Sequence, residues 1–393
     1  MPLTIKSTGE ISSSLFTVDS DGDVINAGEL QPTTALSATY LNVGQIGGRR
    51  NLIINGAMQV AQRGDQTGVT STGYQAIDRY KFLINALGTW SISQSSTAPE
   101  GFGNSMKITP TTADASPAAG DYFFLQHYIE GQDLQQLKKG TSNAQPVTMS
   151  FYVRCTKTGN VQVNLYDNDN NRIIGKVFSI DSANTWEYKT LTFDGDTTGA
   201  LDDDNNASLF WEMLLDGGTN WTGGTTPSAW EAASGPDRGA GTTLALADNT
   251  ANEFFITGVQ LEVGSVATPF EHRSFGEELA LCQRYYYNSH LDGDFSDYSG
   301  QRLVFAAGTT TFGATCTVAT GREYPTTMRA TPVVTLYHQD GTADAVYVVH
   351  TGGKITGVTA FAPTPKGFLY AYKANGFNTG YGYYYGYTAD AEL

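Results

Sequence analysis

Between Asn51 and about Thr268 the chain alternates apolar and polar residues in short runs, with turn residues between them. "SMKITPTT", "DYFFLQHYIE", "PVTMSFYVRCT", "VQVNLYD", "IIGKVFSI", "WEYKTLTFD", "ASLFWEMLLD" and "EFFITGVQLEVG" all follow this pattern. In "VTMSFYVRC" one face carries Val147, Met149, Phe151, Val153 and Cys155, and the other carries Thr148, Ser150, Tyr152 and Arg154. A period of two with one apolar face predicts a strand buried on one side. A series of such strands predicts two packed sheets, a β-sandwich of jelly-roll type over residues 49–272.

One segment changes period. "SFGEELALCQRYYYN" opens with Ser274 and has Glu277 three residues later, the spacing of a capping box. Leu279, Cys282, Tyr285 and Tyr286 then share one helical stripe. This predicts a connecting helix over 273–289, whose stripe can pack on its own sandwich or on copies of itself. Alternation returns over 290–393 and predicts a second, smaller β-sandwich, a candidate receptor-binding tip. Residues 1–48 hold isolated apolar side chains (Ile5, Ile11, Leu15, Phe16, Val18, Val24, Ile25) among Ser, Thr, Gly and Asp. That is too little apolar surface for an independent core. A disordered tail is one reading. The other, suggested by "SLFTVDSDGDVI", is short strands ordered against copies or a larger particle, an N-terminal oligomeric anchor hinged at Gly47-Gly48.

Composition agrees with an all-β chain. Gly numbers 44, Tyr 22 and Phe 19, and charged residues make up only 16%, below the usual share of about 25%. A net charge of −16 argues against nucleic acid as a partner, because phosphate binding needs clustered Lys and Arg. Cys155, Cys282 and Cys316 are odd in number and widely spaced, so neither a disulfide framework nor a zinc site is predicted. Synthesis in a reducing cytoplasm is expected. No signal-peptide pattern opens "MPLTIKSTGEISSS", and no long apolar run predicts membrane insertion.

Catalytic signatures are sparse. Glycoside cleavage needs two facing carboxylates, and Asp121, Glu130, Asp133, Asp194, Asp196, Glu212 and Asp216 are candidates with no motif that singles out a pair. G-x-S-x-G does not occur, and His127, His272, His290, His338 and His350 lack metal-ligand spacing. The expectation is therefore no enzyme, no catalytic residues and no metal motif. Acidic runs at 19–23, 167–171 and 202–206 leave a structural Ca²⁺ open, although each departs from the EF-hand template.

Binding chemistry is easier to place. Trp221 and Trp230 lie in the Gly-rich loop 216–242 with Asn220, Glu231, Asp237 and Arg238. Flat rings beside amides and carboxylates suit a sugar, since they lose little entropy on binding. The competing reading is that each Trp pins the loop to the sandwich. Tyr383 and Tyr385, with Tyr384 and Tyr387, are a second candidate set, against a strand ladder that only packs. Arg63-Gly64-Asp65 matches an adhesion tripeptide; the alternative is a turn at Gly64 with Arg63 paired to an acid such as Asp78.

"RRNLIINGAMQVAQRG" followed by "GYQAIDRYKF" resembles a recurrent opening in bacteriophage tail-fibre and related virion fibre proteins. "FFITGVQLEVGSVATPFEHRSFGEELALCQRYY" resembles the segment that closes that domain, and "YPTTMRATPVVTLY" with "YTADAEL" resembles their C-terminal domain. The resemblance implies a homotrimeric virion fibre with a carbohydrate-binding-like jelly roll, attached to other virion proteins through residues 1–48. It further implies adhesion to a host surface glycan or protein by multivalent binding. A purely structural head-fibre, decoration or collar protein, or a glycan-cleaving tailspike, are the rival readings.

Overall fold

The computed structural model describes residues 49–290, 304–305, 319–373 and 382–393, together with four short strands that precede residue 28. The chain divides into compact units at Met1–Ile46 and Gly47–Leu393. In the first, β1 (Thr4–Ile5), β2 (Ile11–Ser12), β3 (Phe16–Val18) and β4 (Val24–Ala27) pair in chain order as an antiparallel meander. Thr4 lies opposite Ser12, Ile11 opposite Val18, and Phe16 opposite Ala27.

The second unit begins with a two-sheet sandwich. Its strands are β5 (Gln66–Val69), β6 (Gly73–Tyr74), β7 (Tyr80–Asn85), β8 (Thr89–Ser95), β9 (Ser105–Thr112), β10 (Tyr122–Glu130) and β11 (Val147–Cys155). They continue through β12 (Gly159–Asp167), β13 (Arg172–Ile180), β14 (Glu187–Phe193), β15 (Ala207–Gly217), β16 (Glu231–Ala232) and β17 (Phe254–Val263). One sheet has seven strands in the order β16-β13-β12-β15-β10-β7-β6, and the other six, β14-β11-β17-β9-β8-β5. Non-consecutive neighbours such as β11 and β17 place distant segments side by side, as a jelly roll does.

The alternation explains the core. Val147, Met149, Phe151, Val153 and Cys155 of β11 all belong to one buried cluster, while the partly exposed Tyr152 and Arg154 are on the opposite face. Phe151 meets Phe178 of the facing sheet with ring centroids 5.0 Å apart. Trp90 stacks on Phe123 at 4.0 Å, and its indole N–H donates to Leu87 O. Interiors packed this tightly tolerate little loss of volume, and truncating a core Phe costs about 3–5 kcal/mol.

After the short helix α1 (Thr219–Thr222), the second helix α2 spans Phe275–Gln283. Ser274 caps it as the sequence predicts, its Oγ accepting the Glu277 N–H. The helix stops well short of residue 289. Tyr286–Asn288 instead form a strand, β18, because consecutive tyrosines fit a pleated, half-buried surface better than a helix. Cys282, Tyr285 and Tyr286 are buried in the chain's own interior.

The C-terminal region comprises β19 (Val304–Phe305), β20 (Ala319–Glu323), β21 (Val333–Tyr337), β22 (Ala345–Val348), β23 (Gly353–Thr356), β24 (Thr359–Phe361), β25 (Gly367–Tyr372), β26 (Gly382–Tyr384) and β27 (Gly386–Asp390). They form three small antiparallel sheets, β18-β27-β21, β19-β26-β22-β23 and β20-β25-β24. A second core joins them, including Leu336, Val346, Val358, Phe368, Tyr383, Tyr385 and Tyr387. The whole described chain is all-β apart from short helices.

Residues around Arg63, Arg79 and Tyr285 converge with the segment 390–393 on one buried junction. Arg79, fully buried, pairs with Glu392, donates to Tyr128 O at 2.7 Å and lies 3.4 Å from the Tyr285 ring centroid. Arg63 stacks on Tyr286 at 3.5 Å and pairs with Glu392, Asp390 and Asp78 at 3.4, 3.5 and 3.7 Å. Gln62 bridges Asp78 and Tyr286 O, and Arg329 donates to Ala391 O and Glu392 O. The expected pairing of Arg63 with Asp78 is present.

Candidate functional site

Loop 218–245 closes the outer face of the seven-stranded sheet. The middle of that face is the polar row Gln126, Glu212 and Asn164, brought together by register across β10, β15 and β12. Arg238 drops from the loop and forks onto Glu212 at 2.8 and 2.5 Å. Asn164 donates to Arg238 O at 2.7 Å, and Gln162 accepts from Thr226 Oγ1 and Gly241 N. These donors and acceptors are spent inside the chain, leaving little for a ligand.

Both loop tryptophans serve the same closure. Trp221 packs edge-on against Tyr122 and Phe124, 4.8 and 5.4 Å away, and its indole donates to Gly120 O. Trp230 donates to Asp194 O at 2.7 Å, lies against the core, and carries the Lys139 ammonium 5.0 Å from its ring centroid. Each is partly buried and pins the loop. Tyr383 and Tyr385 are 0% and 1% exposed. They pack in the C-terminal core and present no ring face to solvent, which is the packing alternative that the Gly-Tyr alternation offered.

The outer face of the six-stranded sheet is different. Tyr188 on β14 and Tyr152 on β11 sit directly opposite each other in register, with ring centroids 4.9 Å apart. Beside them β17 has a bulge at Gly258, where φ is +63°. No side chain rises there, so Phe102 lies down on the strand, 5.5 Å from Tyr152. A Cβ at Gly258 would come within 2.7 Å of Phe102 Cζ. Phe270 and His272 follow at 5.0 and 5.1 Å from Phe102.

Folding of segment 264–271 puts the last two rings in place. Glu262 accepts from Thr268 N and Thr268 Oγ1, and Gln260 Oε1 accepts from Glu271 N at 2.8 Å. These bonds satisfy the buried polar groups of β17 and lay the segment back across its own sheet. The result is a continuous strip of five rings, exposed at both ends: Tyr188 is 48% exposed and His272 is exposed as well. Arg154, held to Asn184, borders it on the same outer face.

The strip was half visible in the sequence. Tyr152 and Tyr188 fall on the outward positions of alternating strands, which was a usable signal. Phe102, Phe270 and His272 come from connecting segments without periodicity.

The carboxylates considered for glycoside cleavage are dispersed. Glu130 accepts a fork from Arg284, Asp196 pairs with Arg172 and Lys139, and Asp216 accepts from Ala247 N. Burial raises Asp216 to about 6, while hydrogen bonding to Arg172 and to Thr198 N offsets the cost of desolvation and holds Asp196 below the usual carboxylate range. Acidic runs 167–171 and 202–206 lie side by side, with Asp202 N donating to Asp169 Oδ2 at 2.9 Å. Lys139 brings its ammonium between Asp167 and Asp196. Among the described residues no group of three or more His, Cys, Asp or Glu is arranged to hold a metal ion. The run at 19–23 lies outside the described residues.

No family model and no curated protein matches the chain. Solved structures do. The enzymatically active domain of tailspike protein 4 of bacteriophage CBA120 matches 54% of this chain and 21% of its own length, at 10% identity and a TM-score of 0.28. A family 11 carbohydrate-binding module from Clostridium thermocellum, in complex with a mixed-linked tetrasaccharide, matches 52% of this chain and 98% of its own at 12% identity and a TM-score of 0.27. The tandem CBM22 domains of Paenibacillus barcinonensis Xyn10C match 91% and 92% at 9% identity and a TM-score of 0.28.

Proposed function

We propose that this chain is a bacteriophage virion fibre protein that adheres to a host surface glycan, with the aromatic strip on the six-stranded sheet as its binding surface. The strip carries the reading. Pyranose rings present flat C–H faces that stack on aromatic side chains, and rigid rings bind them at low entropic cost. The fixed Arg154 and Asn184 groups alongside offer donors and acceptors to sugar hydroxyls. The opposite face, by contrast, is closed by the chain's own loop.

Open, shallow surfaces bind single sugars weakly, so adhesion requires several copies engaged together. A homotrimer anchored to the particle through residues 1–48 meets that need. The test is a glycan array probed with the full chain and with the double variant Tyr152→Ala/Tyr188→Ala. The expected outcome is retention of host glycans by the parent and a loss of roughly tenfold or more in the variant. Light scattering at micromolar concentration should give a trimer mass. Array binding that ignores both tyrosines removes the strip from consideration, and a chain that binds no glycan is a structural virion component instead.

A further inference from the structure

A second surface feature, remote from loop 218–245, has the chemistry of a saccharide pocket. A cleft of about 440 Å³ lies beside the start of α2, lined by Gln59, Val60, Ala61, Gln62, Gly64, Asp65, Gln94, Phe275 and Leu279. Phe275 is 53% exposed in the first turn of the helix. Placed at the cleft, this flat ring offers an apolar face on which a partner can stack.

The walls around that ring are amides and one carboxylate. Gln94 donates its side-chain N–H to Met58 O at 2.6 Å, and its backbone N–H goes to Asp65 Oδ1 at 3.0 Å. Asp65 is exposed, and Gln59 leaves its Oε1 without a partner in the chain. An acceptor left unsatisfied costs free energy that a hydroxyl donor recovers.

Charge narrows the ligand. No Lys, Arg or His is among the lining residues, and the nearest arginine in sequence, Arg63, is turned away onto Tyr286 and Glu392. Asp65 therefore repels phosphates and carboxylates, with no cation in the cleft to offset it. Val60, Ala61, Leu279 and Phe275 supply the apolar part, while the amides and Asp65 supply hydrogen bonds. The volume falls in the range of small-molecule sites, roughly 300–1,000 Å³.

We infer that this cleft is a second binding site, which takes a neutral hexopyranose unit on Phe275 with its hydroxyls bonded to Gln59, Gln94 and Asp65. It is independent of the strip, and either site can exist without the other. It also gives the Arg63-Gly64-Asp65 stretch a role that the adhesion tripeptide does not: Arg63 is locked in the junction, and Gly64 and Asp65 form a sugar-facing wall.

The experiment is saturation-transfer NMR of the full chain with methyl glucoside, methyl galactoside, methyl mannoside and N-acetylglucosamine, added singly. At least one should show transfer, and Phe275→Ala should weaken it roughly tenfold. The measurement is made in the Tyr152→Ala/Tyr188→Ala background, so that transfer reports the cleft and not the strip. Phe275 is exposed, and an unchanged melting temperature for Phe275→Ala checks the fold. No transfer from any of the four sugars, or transfer that survives Phe275→Ala, overturns the inference. A lower oligomer mass for Phe275→Ala overturns it too, because the ring would then be an interface between copies.

Discussion

Individual residues show how burial sets charge in this chain. Asp216 closes β15 by accepting the Ala247 N–H at 2.8 Å, and it is 5% exposed. Burial lifts its folded pKa to about 6 from an ordinary 3.8. The folded state therefore holds a proton more tightly than the unfolded state. Stability drawn from this group is present at low pH, falls as pH rises from about 4 to 6, and stays lost above. Asp216→Asn keeps the acceptor and abolishes the charge. We expect the variant to melt a few degrees higher than the parent at pH 8, about 2–4 °C for each kcal/mol recovered. Near pH 4.5 the two should melt together. Equal melting at both pH values, measured by circular dichroism, would contradict the raised pKa. Nothing in "EMLLDGG" marks Asp216 as unusual, since its environment is built by Ala247 from another segment.

At the scale of elements, the alternating strands were the most legible part of the chain. Val147, Met149, Phe151, Val153 and Cys155 point inward as their period requires, and Ser274 caps its helix. Tertiary context decided the rest. The tyrosines after Arg284 join a sheet with β27, a strand a hundred residues away in the chain, and no local pattern predicts that pairing. Loop closure over Glu212 was equally hidden, because Arg238 reaches its carboxylate only once β12 and β15 are neighbours. Gly258 shows what one position can control. Its φ of +63° is strained for a residue with a side chain, costing about 1–2 kcal/mol, and a Cβ would collide with Phe102. Gly258→Ala should therefore lower the melting temperature and also weaken glycan binding, by displacing Phe102 from the middle of the strip. Phe102→Ala should lose the binding with less effect on melting. If Gly258→Ala binds glycan as the parent does, Phe102 is not part of the surface.

On the scale of the whole molecule, the junction decides whether the sandwich and the C-terminal region act as one body. Arg79 and Glu392 are 313 positions apart, and both are almost wholly buried. Such a distant pair is invisible to sequence pattern, although "AIDRYKF" and "YTADAEL" carry its two halves. Residues 391–393 are further held by Tyr285 O, Arg329, Tyr74 and Lys81, so the segment is clamped from several sides. Glu392→Gln keeps the shape and an acceptor but leaves the Arg79 guanidinium buried beside a neutral partner. Breaking a buried pair in this way costs about 3–5 kcal/mol. That cost falls on docking of the C-terminal region, since the sandwich core contains neither Glu392 nor its neighbours. The expected outcome is two melting transitions in place of one, with trypsin cutting first between residues 291 and 393 while a fragment containing residues 49–272 persists. Replacing both partners with apolar residues, Arg79→Met with Glu392→Leu, should restore much of the lost stability, because no charge is then left unpaired. A single transition at the parental temperature for Glu392→Gln would mean that the C-terminal region is held by its apolar contacts alone.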